Sequence, residues 1–192
     1  MEKQESNKAF LRTYPFAYGG GMMLISATVA TYFSIFMTDT FGIPAAAASV
    51  IMFIATLWDA INDPMMGMIA DRTHNRFGRY RSYYLWVPAV LTFAAFMVFL
   101  APKGLSTPQK VAYIAVFYII YGMAYTALTM PTVAAVPANT KNDKERNTVV
   151  TLACGVMSLA FCFVSTFTTK LTAITNGSYS PWILLYGAIT IV

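Results

Sequence analysis

The chain has 192 residues, of which 57% are hydrophobic and 11% charged, against about 25% charged in an ordinary soluble domain. That balance excludes a water-soluble fold. The formal net charge of +5 does not read as nucleic-acid affinity, because the basic residues gather in alternate loops. A polar stretch of about a dozen residues precedes a first apolar run at 16–37, which is too long for a cleaved leader and is followed by more runs, so it is expected to stay in the protein. Further runs at 45–70, 83–101, 111–136 and 148–171 each reach the roughly 20 residues that a helix needs to cross about 30 Å of hydrocarbon. A sixth opens at 181 and reaches only 192, too short to span, so truncation inside a sixth helix is expected. Open strands would leave amides without partners in hydrocarbon, and no alternating pattern suggests a barrel, so the fold class is an all-α membrane protein with one helical bundle over residues 1–192.

Pro64, Pro131 and Pro137 are expected to kink or end helices, and Pro88 to bend one locally. Gly19-Gly20-Gly21 could unwind the first span or expose its carbonyls, although close packing against a neighbouring helix is the plainer expectation. Cys154 and Cys162 lie eight residues apart on one helix, about 12 Å along its axis, too far for a disulfide. Lys3, Lys8, Arg12, Arg72, Arg76, Arg79, Arg81, Lys141, Lys144 and Arg146 fall on one side of the membrane. Lys103, Lys110 and Lys170 fall on the other, and the bias places the N-terminus in the cytoplasm.

Asp59 and Asp63 are the two acidic residues inside a span, where an unsatisfied carboxylate costs at least about 2.5 kcal/mol. Spaced i and i+4 they share a helix face, with Asn62 beside them, so the segment offers several hard oxygens together. Two such carboxylates repel unless a proton or metal intervenes, and hard oxygens suit an alkali or alkaline-earth cation, with sodium the metal expected at Asp59 and Asp63. The bland alternative is a structural pair bonded to other helices. Two carboxylates one turn apart could also hold magnesium in a membrane enzyme. No second carboxylate cluster, base or intramembrane cation supports that, so the chain is not read as an enzyme. His74 is lone and receives no ligand role.

The loop that follows carries Gly67, Asp71, Arg72, Arg76, Gly78 and Arg79 in the spacing Gly-xxx-Asp-Arg-xxx-Arg-x-Gly-Arg. It resembles the loop between helices two and three of the major facilitator superfamily, where the resemblance implies a gate of state-dependent ion pairs. A cluster that merely anchors to anionic lipid is the alternative. Together with Trp58-Asp59-Ala60-Ile61-Asn62-Asp63-Pro64, Tyr121-Gly122-Met123-Ala124-Tyr125-Thr126, Met130-Pro131 and Thr38-Asp39, it is similar to the glycoside-pentoside-hexuronide:cation symporters, the melibiose-permease group of that superfamily. The resemblance implies the N-terminal six-helix half of a twelve-helix bundle, its sixth helix incomplete and its C-terminal half missing. It also implies that Asp59, Asn62, Asp63 and Thr126 hold the coupling cation, sodium or a proton, with no other cofactor.

The family's sugar contacts transfer badly. Its helix-one aspartate falls on Met23, its helix-four aspartate on Thr129, its tryptophan on Val133 and its helix-five arginine on Cys154. Unpaired sugar hydroxyls would cost about 1–3 kcal/mol each, so a different, less polar solute is expected. Cavity-wall candidates are Tyr14, Tyr18, Met23, Tyr32, Tyr125, Thr126, Thr129 and Val133. The expected function is cation:solute symport of a sugar or related small solute in a bacterial plasma membrane. A lipid-like or other non-sugar cargo and a non-transporting fragment are the alternatives. The implied partners are the bilayer, the solute and the missing half, with no nucleic acid.

Overall fold

The structure, a computed structural model, describes residues 8–72, 81–140, 142–175 and 177–191. Among them every regular element is helical. The first span runs continuously over Ala9–Thr40. It divides into α1 (Lys8–Phe16), a π-helical segment Ala17–Met22, α2 (Met23–Ile35) and a second π-helical segment Phe36–Thr40. Then follow α3 (Ala45–Arg72), α4 (Arg81–Val98), α5 (Thr107–Asn139), α6 (Asp143–Ile174) and α7 (Ser180–Ile191). The first span, α3, α5 and α6 are long and apolar enough to cross a membrane; α4 is a shorter apolar helix.

The ends of these helices have local chemical causes. α5 starts at a capping box in which Ser106 is the N-cap and Gln109 Oε1 accepts from the Ser106 amide at 2.9 Å, with Pro108 where no amide donor is needed. Asn142 caps α6 by accepting from the Glu145 amide at 2.9 Å. Pro64 lies inside α3, and Pro131 and Pro137 inside α5. The helices therefore run through these prolines rather than ending at them, which hydrocarbon tolerates when neighbouring helices cover the freed carbonyls.

Packing, not solvent exclusion, holds helices together in lipid, and small residues let backbones approach. α5 is the central partner, flanked by α3 and α4, while α7 lies on α4 and α6 on α1 and α2. At Gly187 on α7 an added Cβ would stand 2.0 Å from Thr92 Cγ2 on α4, so the two helices meet at van der Waals distance only because Cβ is missing. The main core is formed by Ile25, Phe33, Phe36, Leu91, Phe99, Ile114, Ile183 and Tyr186, all fully buried. At one end of the bundle an aromatic cluster ties the spans together. Phe33 stacks on Tyr118 with centroids 4.2 Å apart, and Phe36, Phe99 and Tyr179 contact one another at 5.1–6.1 Å. Lys110 Nζ donates to the Phe41 carbonyl at 2.7 Å and closes the turn beside it. A smaller second core, Tyr14, Val136, Val149 and Ala153, sits at the opposite end around α1. The outward faces of α3 and α6 carry exposed Phe53, Leu57, Ile61, Leu159 and Phe167, the surface that a hydrocarbon environment requires.

Candidate functional site

α3 and α5 lie side by side, and the spacing of their polar residues decides what meets between them. Asp59 and Asp63 are one turn apart on α3 and both half-buried. Across the gap Thr126 of α5 donates its hydroxyl proton to Asp63 Oδ1 at 2.9 Å. Donation fixes the proton on one side of the Thr126 oxygen and leaves its lone pairs free for another positive group. Asn62 is 0% exposed, and neither its amide oxygen nor its amide nitrogen has a hydrogen-bond partner. A buried amide without partners costs a few kcal/mol, so the site holds an oxygen that a cation could satisfy. Gly122 of α5 faces Asp59, whose Oδ1 would lie 3.1 Å from an added Cβ. The missing side chain makes room for the carboxylate.

These groups open on a cavity of about 410 Å³ bounded by α2, α3 and α5. Met23, Ser26, Val29 and Ala30 line it from α2, Ala55, Trp58, Asp59 and Asp63 from α3, and Tyr118, Ile119, Tyr121, Gly122, Tyr125, Thr126, Thr129 and Met130 from α5. No Lys, Arg or His is among these residues. Among the described residues no third His, Cys, Asp or Glu joins the two carboxylates. The donor set is therefore two carboxylates, one amide and one hydroxyl, hard oxygens of low total charge, which fits an alkali cation or a proton better than a transition metal.

The residues singled out by sequence are distributed unevenly. Asp59, Asp63, Thr126, Met23, Tyr125 and Thr129 share this cavity; Asn62 is sealed beside it on the same helix. Tyr14 and Tyr18 line a separate cavity of about 310 Å³. Tyr32 is buried, with its hydroxyl donating to the Ser165 carbonyl of α6 at 3.0 Å, and Val133 is 51% exposed; neither lines the cavity. Of the loop residues, Gly67 has open space around it and Arg72 is exposed at the end of α3. The Asp71 side chain and Arg76, Gly78 and Arg79 lie outside the described residues. Sequence reasoning named Tyr125 but missed Tyr118 and Tyr121 as wall residues; the three form a ladder with successive centroid distances of 6.2 Å. Their i, i+3, i+7 spacing was the available signal.

Residues 16–192 match the family model described as MFS/sugar transport protein. An uncharacterised symporter, YnaJ, of Bacillus subtilis is 34% identical over 173 residues, covering 88% of this chain and 37% of that protein. The isoprimeverose transporter of Lactiplantibacillus pentosus is 36% identical over 151 residues, 78% of this chain and 31% of the transporter. A sodium-dependent lysophosphatidylcholine symporter, 1-A, of Danio rerio is 29% identical over 154 residues, 77% of this chain and 28% of that symporter. The chain thus spans about a third of the length of these relatives. With the match running from the first span to the final residue, the chain is an integral membrane protein of the MFS/sugar transport protein family, a family of transporters rather than enzymes.

Proposed function

We propose that this chain forms the cation-binding part of a symporter that couples entry of sodium or a proton to movement of a neutral sugar or related hydroxylated solute. The reading rests on one observation above the others: Thr126 of α5 bridges to Asp63 on the wall of a cavity that also holds Asp59. A cation placed between Asp59, Asp63, Asn62 and Thr126 would cancel the repulsion of the carboxylates and satisfy the buried amide. It would thereby stabilise the packed arrangement of α3 and α5. Loading and unloading would then bias the bundle between two conformations, which is what coupling requires.

The solute follows from the wall. Three tyrosines, Ser26 and Thr129 supply hydroxyls and aromatic faces, while Met23, Val29, Ala30 and Met130 supply an apolar side. A second anion would meet the carboxylates in a site without a lining base. At about 6 Å and an effective dielectric near 20, Coulomb repulsion is about 2.8 kcal/mol, on the order of a hundredfold in affinity. A neutral glycoside is therefore favoured over its uronate. The relative named for isoprimeverose agrees with a sugar cargo. The relative named for lysophosphatidylcholine, together with the methionine-rich wall, supports an amphiphile as the second reading. The excess of basic residues on one side supports a cytoplasmic N-terminus and a cytoplasmic loop from Asp71 to Arg81, and the bacterial relatives support a bacterial plasma membrane.

The test is uptake by the full-length transporter in proteoliposomes, driven by a sodium or a proton gradient, with isoprimeverose and a uronate as competing solutes. Cation-stimulated uptake should appear for the neutral sugar and be lost in Asp63→Asn with membrane insertion intact. Asp59→Asn should keep proton coupling alone. Full sodium and proton stimulation in both variants would end the cation-site assignment.

A further inference from the structure

The first span is not one uniform helix. Its i→i+4 ladder widens to π-helical geometry over Ala17–Met22, around the Gly19-Gly20-Gly21 run. π-Helical turns and glycine are two of the few identifiable causes of bending in long helices. The segment also separates two hydrophobic cores. Above it lies the main core, which includes Ile25 and Phe33; below it α1 contributes Tyr14 to the small core with Val136, Val149 and Ala153.

The neighbouring helices loosen at the same level. The second cavity, about 310 Å³, is lined by Ala17, Tyr18 and Met22 of the π-helical segment, by Pro88 of α4 and by Leu128 and Thr132 of α5, which flank Pro131. Each proline removes one intrahelical hydrogen bond. This second cavity thus lies where the first span, α4 and α5 each carry a π-helical turn or a proline.

The glycines divide the work. A Cβ on Gly19 would stand 2.6 Å from the Ala153 carbonyl oxygen of α6, and one on Gly21 3.1 Å from Thr190 Cα of α7. Thr190 Oγ1 donates to the Gly21 carbonyl at 2.8 Å. These contacts hold the segment in place from both sides. Gly20 has only Val156 Cγ1 in reach, at 3.8 Å from an added Cβ, so its missing side chain answers to no steric demand and leaves backbone freedom.

We propose that Ala17–Met22 is a hinge, fixed at Gly19 and Gly21 and flexing at Gly20. On it α1, with the adjoining ends of α5 and α6, swings relative to the main core and opens or closes the cavity around Tyr14 and Tyr18. The bundle is then two bodies rather than one.

Spin-label distances in the full-length transporter, in a Cys154→Ser, Cys162→Ser background, test this. Arg12→Cys on α1 and Trp86→Cys on α4 report across the hinge, and Ile35→Cys with Phe93→Cys reports within the main core; all four positions are exposed. The first distance should shift by several ångströms between sodium-loaded and sodium-free protein while the second stays fixed. Gly20→Ala, sterically permitted, should narrow the first distribution and slow uptake about fivefold, ~1 kcal/mol on the barrier, with sodium affinity unchanged. A first distance identical in both states while uptake proceeds, or both distances moving together, would overturn the hinge. If the protein moves no solute, the transport reading falls, and the hinge is judged by the sodium-dependent distances alone.

Discussion

Replacing Thr126 by valine removes one hydroxyl and little volume, and the structure gives its cost. Thr126 donates to Asp63 Oδ1 at 2.9 Å, a bond to a charged acceptor worth about 1.5–3 kcal/mol. In the apo protein, losing it leaves Asp63 with one donor fewer. With a cation bound, the hydroxyl oxygen would in addition be missing from the coordination sphere. If the loss falls mainly on the loaded state, sodium affinity should drop by about 10- to 150-fold. Isothermal titration of sodium into the full-length transporter in nanodiscs, at constant ionic strength set with choline, measures it. Thr126→Ser keeps the hydroxyl and should recover most of the affinity, which separates coordination from packing. Sodium binding within twofold of wild type in Thr126→Val, alongside its abolition in Asp63→Asn, would refute a coordinating role for Thr126.

Three further outcomes follow from the same geometry and from the charge distribution. Gly122→Ala places a Cβ 3.1 Å from Asp59 Oδ1, so the carboxylate must yield by a few tenths of an ångström; sodium titration should show weaker binding in a protein that still inserts. Cysteines at Ser106 and His74 should label from opposite faces, and an impermeant reagent that reaches 74 but not 106 in intact cells would invert the proposed topology. Melibiose and lactose should bind the full-length protein weakly or not at all in equilibrium dialysis, because Met23 and Thr129 line the cavity without a carboxylate at either position. Tight galactoside binding would contradict this.

The membrane helices were legible in the sequence because hydrocarbon leaves the chain few options: about twenty apolar residues, internal hydrogen bonds and basic loops on one side. Asp59 and Asp63 were legible for the same reason, since a carboxylate in a span needs an explanation. Their partner on α5 was reached only through the family resemblance, not from the chemistry of the residue itself. Thr126 is one of several threonines in an apolar helix, and two of its neighbours bond their own backbone, Thr129 to Tyr125 and Thr132 to Leu128. Only the register between α3 and α5 distinguishes Thr126, and helix register in lipid depends on side-chain fit that periodicity does not encode. Tyr32 shows the converse. A tyrosine in a span suggests a cavity wall, yet its hydroxyl ends on the α6 carbonyls, because a buried phenol can be satisfied by backbone as well as by a ligand.

The prolines and glycines were visible from the start, but the sequence could not say which would break a helix and which would loosen it. Pro64 is a case in point: it stands directly after Asp63 and inside α3. A proline at that position withdraws the amide that would have bonded the Ala60 carbonyl, next to Asp59. The freed carbonyl and the two carboxylates then belong to a single turn of helix. The same residue that weakens α3 therefore frees one backbone acceptor on the turn that carries both carboxylates. A cation held by the two carboxylates would sit against the stretch of α3 that the proline has loosened. On that account Pro64→Ala should stiffen α3 and lower sodium affinity without touching either carboxylate. Titration of the full-length variant would detect the loss, and unchanged affinity would show that the turn's acceptors act independently of the helix break.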